Sequence, residues 1–484
     1  MTIESANCFS RSEYPLPGPL RIVQFGEGNF LRAFIGWMIQ HLNDKGLFSG
    51  SIRIVEPLPH GTGDTLNEQN GLYTVLLRGL ENGQVVERAQ VISCVEGSFN
   101  SYRDWDSVLA LARLESLQFI FSNTTEAGIE YKPEPKLETT PGTFPAKLTA
   151  FLFERFQTGG SGLWIIPCEL IERNASCLKQ YVLQYAADWN LGTGFIDWVE
   201  KENRFVNTLV DRIVAGYPKS EDEALRLRLG YDDKLLVAGE PFHFFALEAP
   251  DSLEQVLPLR QSGLDVVLTD DITPYRMRKV FLLNGGHTSA ALAAFLSGLD
   301  FVDEMVGDEL FNRFLRDLLY EEVLPTIELP EQEKTEYLEA VLERFANPFA
   351  KHRLHSITLN SVSKWKVRVL PSFLKAYKKT GKLPKRLAFS LAALLVFYEN
   401  TNGKGKRNRG LPYEILDDIE IVNYFETLWK EHNIGQLVRK VLSRTDFWGS
   451  DLNEIDSLAS TLVWFISMMK ADGVRYALER ILFR

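Results

Sequence analysis

Hydrophobic and polar positions follow two different periods along this chain of 484 residues. Up to about residue 270, short apolar runs alternate with segments of helical period, such as 30–42 and 104–114. Several runs are continuously apolar, which is typical of strands that are covered on both faces of a parallel sheet. The pattern predicts an α/β region with strands at 20–25, 52–55, 73–77, 118–122, 162–167, 235–237, 242–247 and 264–268.

One segment of the first half departs from this alternation. Residues 72–93 contain two alternating runs on either side of Asn82-Gly83. An Asn-Gly pair between such runs is typical of a two-residue hairpin turn. We therefore expect an antiparallel hairpin here.

After about residue 275 the apolar residues recur at helical spacing. Clear examples are Leu310, Phe314 and Leu318, with further helices predicted at 385–398, 414–430, 434–443, 452–470 and 472–482. The predicted fold class is thus α/β, with a Rossmann-like dinucleotide-binding domain at 1–272. A largely α-helical substrate domain is expected at 273–484.

Charge and composition narrow the range of partners. The formal net charge is −11, which disfavours nucleic acid and anionic membrane surfaces as bulk partners. The four cysteines show no Cys-x-x-Cys spacing, so we expect neither a zinc site nor a disulfide framework. Without an apolar leader or a long apolar run, we expect a cytoplasmic protein, monomeric or weakly homo-oligomeric, that acts on a small molecule.

A glycine turn follows the first predicted strand. Gly26-Glu27-Gly28 lies between that strand and a helix that begins near Asn29, where backbone N–H groups can meet a pyrophosphate. The third glycine of the usual fingerprint is replaced by Leu31, and Ala33 is the next small residue. The alternative interpretation is a tight turn without a ligand.

A carboxylate at the end of the second strand favours the nucleotide interpretation. Glu56 can accept hydrogen bonds from ribose hydroxyls and repel a 2′-phosphate, which favours NAD over NADP. The alternative is an exposed glutamate. The residues that we expect to contact the cofactor are Gly26, Gly28, Asn29, Phe30, Glu56 and, in the polar loop after the fourth main strand, Thr124 and Thr125.

The helical half opens on an unusual segment, residues 275–298. Lys279, Asn284 and His287 are polar within an otherwise apolar helix, and Gly285-Gly286 weakens that helix by about 1 kcal/mol per glycine relative to alanine. A lysine can exchange a proton with a hydroxyl group, while an amide and an imidazole hold its oxygen. The alternative is a surface lysine and a buried histidine that only packs.

Several motifs resemble the mannitol dehydrogenase family of polyol-specific long-chain dehydrogenases. They occur in the expected order over nearly the whole chain: QFGEGNFLRAF (24–34), SNTTEAGI (122–129), FVNTLVDRIV (205–214), GEPFHFFALE (239–248), KVFLLNGGH (279–287) and RFANP (344–348).

The resemblance implies an NAD-dependent, metal-independent dehydrogenase. It makes Lys279 the catalytic acid/base, Asn284 an oxyanion-binding amide and His287 a substrate-orienting residue. A second oxyanion-binding asparagine is expected after the 162–167 strand, where Asn174 is the nearest match, although helix capping is its alternative role. The implied reaction is reduction of D-tagaturonate to D-altronate. The fructuronate/mannonate pair, mannitol or its phosphate, and a non-catalytic dinucleotide-binding module remain alternatives.

Three basic or histidine-bearing stretches complete the candidates. Arg344 and Lys364 could hold a substrate carboxylate or belong to a solvated face. His352 and His355 have the spacing of a metal pair, but no third ligand is evident, so no metal is expected. The glycine-rich basic segment 400–410 predicts a solvated loop, with a lid over an anionic substrate as the alternative.

Overall fold

The protein was analysed as a computed structural model that describes residues 10–124, 128–135, 140–431 and 433–482. It contains two compact units. The first comprises the chain up to Arg78 and from Val85 to Ile272, and the second comprises Gly79–Gln84 and the chain from Thr273 onwards. The predicted combination of an α/β N-terminal half and a helical C-terminal half is confirmed.

The first unit carries nearly all the strands. They are β1 (Leu20–Phe25), β2 (Ser51–Glu56), β3 (Tyr73–Glu81), β4 (Gln84–Ile92), β5 (Val95–Asn100), β6 (Phe119–Ser122), β7 (Trp164–Pro167), β8 (Arg204–Phe205), β9 (Thr208–Asp211), β10 (Val214–Gly216), β11 (Val237–Gly239), β12 (Phe244–Glu248) and β13 (Val266–Thr269).

The main sheet has six parallel strands in the order β5-β2-β1-β6-β7-β8. This is the doubly wound Rossmann order, in which the chain direction across the sheet reverses beside β1. Phe25 at the end of β1 lies opposite both Val55 of β2 and Ser122 of β6. The loops that follow β1, β2 and β6 therefore leave the sheet at one edge, where nucleotides bind in this fold.

The alternation of side chains along β1 explains why its apolar run is continuous. Ile22 packs into one hydrophobic cluster, whereas Val23 and Phe25 pack into a second cluster on the opposite face. Each face is covered by helices of the first unit. These are α1 (Asn29–Leu31), α2 (Trp37–Asp44), α3 (Gly63–Glu68), α4 (Trp105–Leu111), α5 (Phe144–Gln157), α6 (Asn174–Asp188), α7 (Thr193–Lys201), α8 (Asp222–Leu229) and α9 (Ser252–Val256).

The predicted hairpin lies in a second sheet, where β3 and β4 are neighbours. Asn82 and Gly83 both have positive φ, as a type I′ turn requires. Residues 79–84 at its tip are grouped with the second unit, where the Gly83 N–H donates to Glu343 at 2.6 Å.

A π-helical segment, Arg32–Gly36, joins α1 to α2. Its cause is a close contact with Tyr73, whose hydroxyl donates to the Arg32 carbonyl at 3.1 Å. A Cβ at Gly36 would lie 2.1 Å from that hydroxyl oxygen, so only glycine leaves room for it.

The second unit is built almost entirely from helices. They are α10 (Thr273–Arg278), α11 (Gly285–Leu296), α12 (Val302–Gly307), α13 (Glu309–Asp317), α14 (Glu331–Phe345), α15 (Leu354–Ile357), α16 (Ser361–Arg368), α17 (Leu370–Thr380), α18 (Lys385–Phe397), α19 (Ile419–Glu431), α20 (Ile434–Leu442), α21 (Thr445–Trp448), α22 (Leu458–Asp472) and α23 (Val474–Leu482).

Helix α11 is the core of this unit. Every residue from Gly285 to Leu296 is buried, and the helix packs against α13, α15, α16, α18 and α23. A helix that is apolar on all sides belongs in the interior of a bundle. Among the described residues, no helix has both the length and the apolar composition that a membrane crossing requires.

The segment 400–410 is largely exposed, as predicted for a solvated loop, but part of it is a strand. Residues of β14 (Lys404–Lys406) pair with β15 (Pro412–Glu414). Arg407 donates to Asp300 at 2.8 Å and Asn408 to the Ser297 carbonyl at 3.0 Å. A glycine-rich basic composition does not reveal that this segment pairs as a strand.

We expect Gly26→Ala to destabilise the first unit and Gly28→Ala to leave it unchanged. Gly26 has a φ of +114°, and a Cβ there would lie 2.7 Å from the Asn123 carbonyl oxygen. Such a strained backbone costs about 1–3 kcal/mol. Gly28 has a φ of −61°, and an added Cβ meets no atom within 4 Å. Thermal denaturation of both variants tests this contrast, and equal melting temperatures would contradict it.

Candidate functional site

The glycine turn lies at the carboxyl edge of β1, where the sheet order reverses. The Gly26 N–H donates to the Val55 carbonyl at 2.9 Å, which fixes the turn beside β2. Gly28 is exposed and precedes the first residue of the helix. Packing within the chain does not require glycine at position 28, but close approach of a pyrophosphate to the backbone does. The turn therefore fits the predicted phosphate cradle.

The first helical residues are held by a buried arginine. Arg32 donates to the Glu27 carbonyl at 3.1 Å and to the Asn29 side chain at 2.7 Å, and it also bonds the Leu235 carbonyl. Phe30 stacks on Phe34 with ring centroids 5.0 Å apart. The exposed backbone of Gly28 and Asn29 is thereby presented at the helix N-terminus, whose dipole favours an anion.

Glu56 ends β2 at the same edge, as predicted. Its carboxylate is buried, whereas the alternative interpretation assumed an exposed glutamate. Its exposed fraction is 3%, and it accepts hydrogen bonds from the Gly63 N–H at 2.7 Å and the Asn100 amide at 3.1 Å. Gly61 lies against it, since a Cβ there would be 2.2 Å from a Glu56 oxygen. Each carboxylate oxygen retains a further lone pair beside these two hydrogen bonds.

Glu27 is a second carboxylate beside Glu56. The same hypothetical Cβ of Gly61 would lie 2.4 Å from a Glu27 oxygen. Burial, and then the charge of Glu56, raise the pKa of Glu27. Two adjacent carboxylates make this edge unfavourable for a 2′-phosphate, in agreement with the predicted preference for NAD.

A buried glutamate that the sequence did not single out orders the loop after β6. Glu169, 2% exposed, accepts hydrogen bonds from the Thr124 N–H and hydroxyl and from the Ser122 hydroxyl, at 3.0–3.1 Å. Burial raises the pKa of Glu169. Thr124 thus lies at the predicted edge with its side chain engaged by Glu169, and Thr125 lies outside the described residues.

The second unit carries the predicted catalytic side chains on a distorted helix. Lys279–Asn284 form a π-helical segment between α10 and α11. On an α-helix these two residues would lie about 140° apart around the axis. In a π-helix the backbone bond joins residues five apart, so Lys279 and Asn284 lie nearly one above the other. Asn284 and His287 are then neighbours at i, i+3 on α11. The distortion brings all three residues toward one face.

Asn284 and His287 differ from most polar side chains of this core. Neither the Asn284 amide nor the His287 imidazole hydrogen-bonds to any residue that the structure describes. His287 stacks on Phe345 with centroids 4.0 Å apart, and burial lowers its pKa well below the usual value. The imidazole is therefore neutral near pH 7, with one N–H available as a donor. Both side chains can hold a ligand oxygen.

Basic side chains surround His287. After burial, the charges nearest to it that lower its pKa are those of His352, Arg344 and Arg368. Arg344, one of the two predicted carboxylate ligands, is buried at 6% exposure and interacts with other residues of the chain. Lys364, the other, is half-buried and donates to the Ile357 carbonyl at 3.0 Å.

The sequence analysis considered one member of this cluster, His352, only as half of a metal pair, and it did not identify another, Arg368. His352 contacts the His287 ring edge-on at 5.2 Å between centroids. Arg368 follows Lys364 by four residues on α16, so the two side chains share a helix face. That i, i+4 spacing is the signal that could have identified Arg368.

The suggested metal pair is not formed. His352 faces His287, whereas the His355 ring stacks on Phe295 and its Nε2 pairs with the Glu414 carbonyl at 2.8 Å. Within the described part of the chain, no three His, Cys, Asp or Glu side chains are grouped as a metal site requires.

The Asn174 side chain is engaged in hydrogen bonds within the fold. The side chain is fully buried, and its amide donates to the carbonyls of Pro167 and Glu169 and to the Thr208 hydroxyl, at 3.0–3.1 Å. Its oxygen accepts from the backbone N–H groups of Thr208 and Ala175. All donors and acceptors are used to join the start of α6 to β7 and β9, and none remains for a substrate.

We expect Asn174→Ala and Asn284→Ala to show opposite phenotypes. Loss of the engaged Asn174 amide leaves buried backbone groups unsatisfied and should cost about 1–3 kcal/mol of unfolding free energy, with kcat nearly unchanged. Loss of Asn284 removes an oxyanion donor and should lower kcat roughly 10²- to 10³-fold at unchanged stability. Denaturation curves and initial rates measure both effects. A catalytic defect in a stable Asn174→Ala protein would contradict this assignment.

Comparisons with known proteins match the two halves of this chain to two domains of one family. The family description "Mannitol dehydrogenase Rossmann domain" matches residues 20–261, and "Mannitol dehydrogenase C-terminal domain" matches residues 271–467. Altronate oxidoreductase of Halalkalibacterium halodurans is 41% identical over 96% of this chain and 93% of that protein. Altronate oxidoreductase of an Enterobacter species is also 41% identical, over 98% of this chain and 100% of that protein.

Two solved structures share the fold. Pseudomonas fluorescens mannitol 2-dehydrogenase, in a ternary complex with NAD and D-mannitol, superposes with a TM-score of 0.69 at 22% identity, covering 96% of this chain and 95% of its own. A substrate-free D-sorbitol dehydrogenase gives 0.81 at 20% identity, covering 98% and 100%. Because both halves match one family and the relatives span nearly the whole sequence, this chain belongs to the mannitol dehydrogenase family.

Proposed function

We propose that this chain is an NAD-dependent oxidoreductase that reversibly reduces the keto hexuronate D-tagaturonate to D-altronate. The observation that carries the proposal is the π-helical segment that aligns Lys279 with Asn284. This alignment supports a site in which an amine, a carboxamide and a neutral imidazole share one helix face. The low cysteine content of the chain supports a cytoplasmic location for this reaction.

The residues of the first unit support NAD as the cofactor. The Gly28 backbone and the helix N-terminus would hold the pyrophosphate, and Glu56 would accept hydrogen bonds from the ribose hydroxyls. Glu27 beside Glu56 adds a second negative charge against a 2′-phosphate. When bound, NADH supplies the hydride that adds to the substrate carbonyl carbon.

The residues of the second unit bind the substrate carbonyl oxygen and transfer its proton. The Asn284 N–H and the His287 N–H donate to the carbonyl oxygen and stabilise the negative charge that develops on it. Lys279, as an ammonium, donates its proton to that oxygen and completes the alcohol. In the oxidative direction, the neutral Lys279 amine removes the hydroxyl proton. Neutral His287 serves better than a charged one, because it holds the oxygen without competing to protonate it.

The substrate assignment rests on the relatives and on the charge of the site. Two proteins named altronate oxidoreductase match nearly the whole chain at 41% identity. The cluster of Arg344, Lys364 and Arg368 around His287 suits a substrate with a carboxylate. The fructuronate/mannonate pair carries the same carboxylate and remains an outcome of the substrate test.

The central experiment is Lys279→Ala. If Lys279 transfers the proton, kcat should fall about 10²- to 10⁴-fold. Lys279→Arg should not rescue activity, because a guanidinium does not release its proton in this range. Stopped-flow rates of NADH oxidation with D-tagaturonate, together with fluorescence titration of NADH, separate the chemical step from cofactor binding.

Lys378→Ala is the matched control for Lys279, since Lys378 is an exposed lysine of α17. It should leave kcat unaltered. Near-normal turnover of a folded Lys279→Ala protein would remove Lys279 from the mechanism.

A separate prediction concerns the role of Glu56 in the choice between NAD and NADP. The wild type should prefer NAD, and Glu56→Gln should narrow the NAD/NADP ratio of kcat/KM by removing a carboxylate that opposes the 2′-phosphate. Steady-state kinetics with both cofactors measure the ratio. A wild type that prefers NADP would contradict the role of Glu56. Glu254→Gln serves as the charge-matched control, since Glu254 accepts hydrogen bonds from Arg260 and from the Gln261 N–H.

A further inference from the structure

Arg368 belongs to the second unit. It ends α16 and is half-buried, yet its guanidinium makes no hydrogen bond and no ion pair with any residue that the structure describes. Desolvation is the cause that lowers its pKa, and no nearby carboxylate offsets it. A half-buried guanidinium without an ion pair can take an anionic ligand as its partner.

The backbone of Arg368 is held directly against the helix that carries Lys279, Asn284 and His287. A Cβ at Gly285 would lie 2.8 Å from the Arg368 carbonyl oxygen, so the two segments touch through their main chains. The charge of Arg368 is felt by His287 and by Lys364. Arg368 thus lies close to both the predicted substrate-orienting histidine and the basic cluster.

The other cations of the cluster are already occupied to different degrees. Arg344 is buried at 6% exposure and interacts elsewhere in the chain. Lys364 donates to the Ile357 carbonyl and has Asp417 close enough to favour its charged form. An arginine also offers two parallel N–H donors that match a carboxylate, which a lysine cannot.

We propose that Arg368 is the residue that receives the substrate carboxylate and so selects sugar acids over neutral ketoses. The proposal rests on the proposed function, since it assigns a subsite to the same substrate. Lys364, on the same face of α16, adds positive charge to this subsite. Arg344 keeps its interactions within the chain and supports the cluster from the side of α14.

The test compares two substrates in the full-length enzyme with NADH. One is the keto hexuronate, and the other is the ketose in which a hydroxymethyl group replaces the carboxylate. Arg368→Gln should raise KM for the acid roughly 10- to 150-fold, the range for loss of a charge-assisted contact, with little change in kcat. KM for the neutral ketose should stay unchanged. Arg368→Lys should fall between wild type and Arg368→Gln, because it keeps the charge but loses the paired donors.

Lys366→Gln is the matched control. Lys366 lies on the same helix two residues away, carries the same charge and donates to the Asp446 carbonyl at 3.0 Å. It should leave the acid-to-ketose preference at the wild-type value. Equal losses on both substrates in Arg368→Gln would show that Arg368 only supports the helix, and an unchanged KM for the acid would also overturn the proposal.

Binding of the product acid separates this inference from the proposed function. Calorimetric titration of the NAD-loaded protein with D-altronate and with the corresponding neutral alditol needs no turnover. If the wild type fails to reduce any keto hexuronate but binds the acid more tightly than the alditol through Arg368, the proposed reaction fails and the carboxylate subsite stands. If acid binding is equal in wild type and Arg368→Gln, the subsite is refuted whatever the activity.

Discussion

The main-chain contact between Gly285 and Arg368 is the constraint on which the candidate catalytic unit depends. A Cβ at position 285 would lie 2.8 Å from the Arg368 carbonyl oxygen, so only glycine permits α11 and α16 to approach this closely. Gly285 is also the residue at which the π-helical segment gives way to α11. Because Gly285 has no side chain, the helix that carries the predicted catalytic residues packs directly against the end of α16, where Arg368 lies.

Close contacts at glycines also shape the predicted nucleotide-binding edge of the first unit. Gly26 permits the loops after β1 and β6 to meet, and Gly36 leaves room for the Tyr73 hydroxyl within a second π-helical segment. Close backbone approach at these glycines leaves little freedom in the helix that begins at Asn29. The exposed turn at Gly28 is then presented on a rigid base, which is what recognition of a pyrophosphate requires.

Hydrogen-bond satisfaction separates the structural polar residues of this chain from the candidate functional ones. Asn174, Arg32 and Glu169 are buried and use their polar atoms on the backbone or on neighbouring side chains. Asn284, His287 and Arg368 lie in or beside the core of the second unit without such partners among the described residues. Polar atoms that no described residue engages are available to a ligand.

The sequence by itself determined the fold class, the positions of most strands and helices, and the candidates Gly26, Gly28, Glu56, Lys279, Asn284 and His287, because periodicity, turn chemistry and motif order are local properties. It could not reveal the π-helical segments, since these arise where Tyr73 or α16 presses against a glycine from a distant part of the chain. For the same reason it left Asn174 open between oxyanion binding and helix capping, and it did not identify Glu169 or Arg368. Whether an amide or a guanidinium is engaged depends on which distant donors and acceptors surround it, and only the tertiary structure decides that.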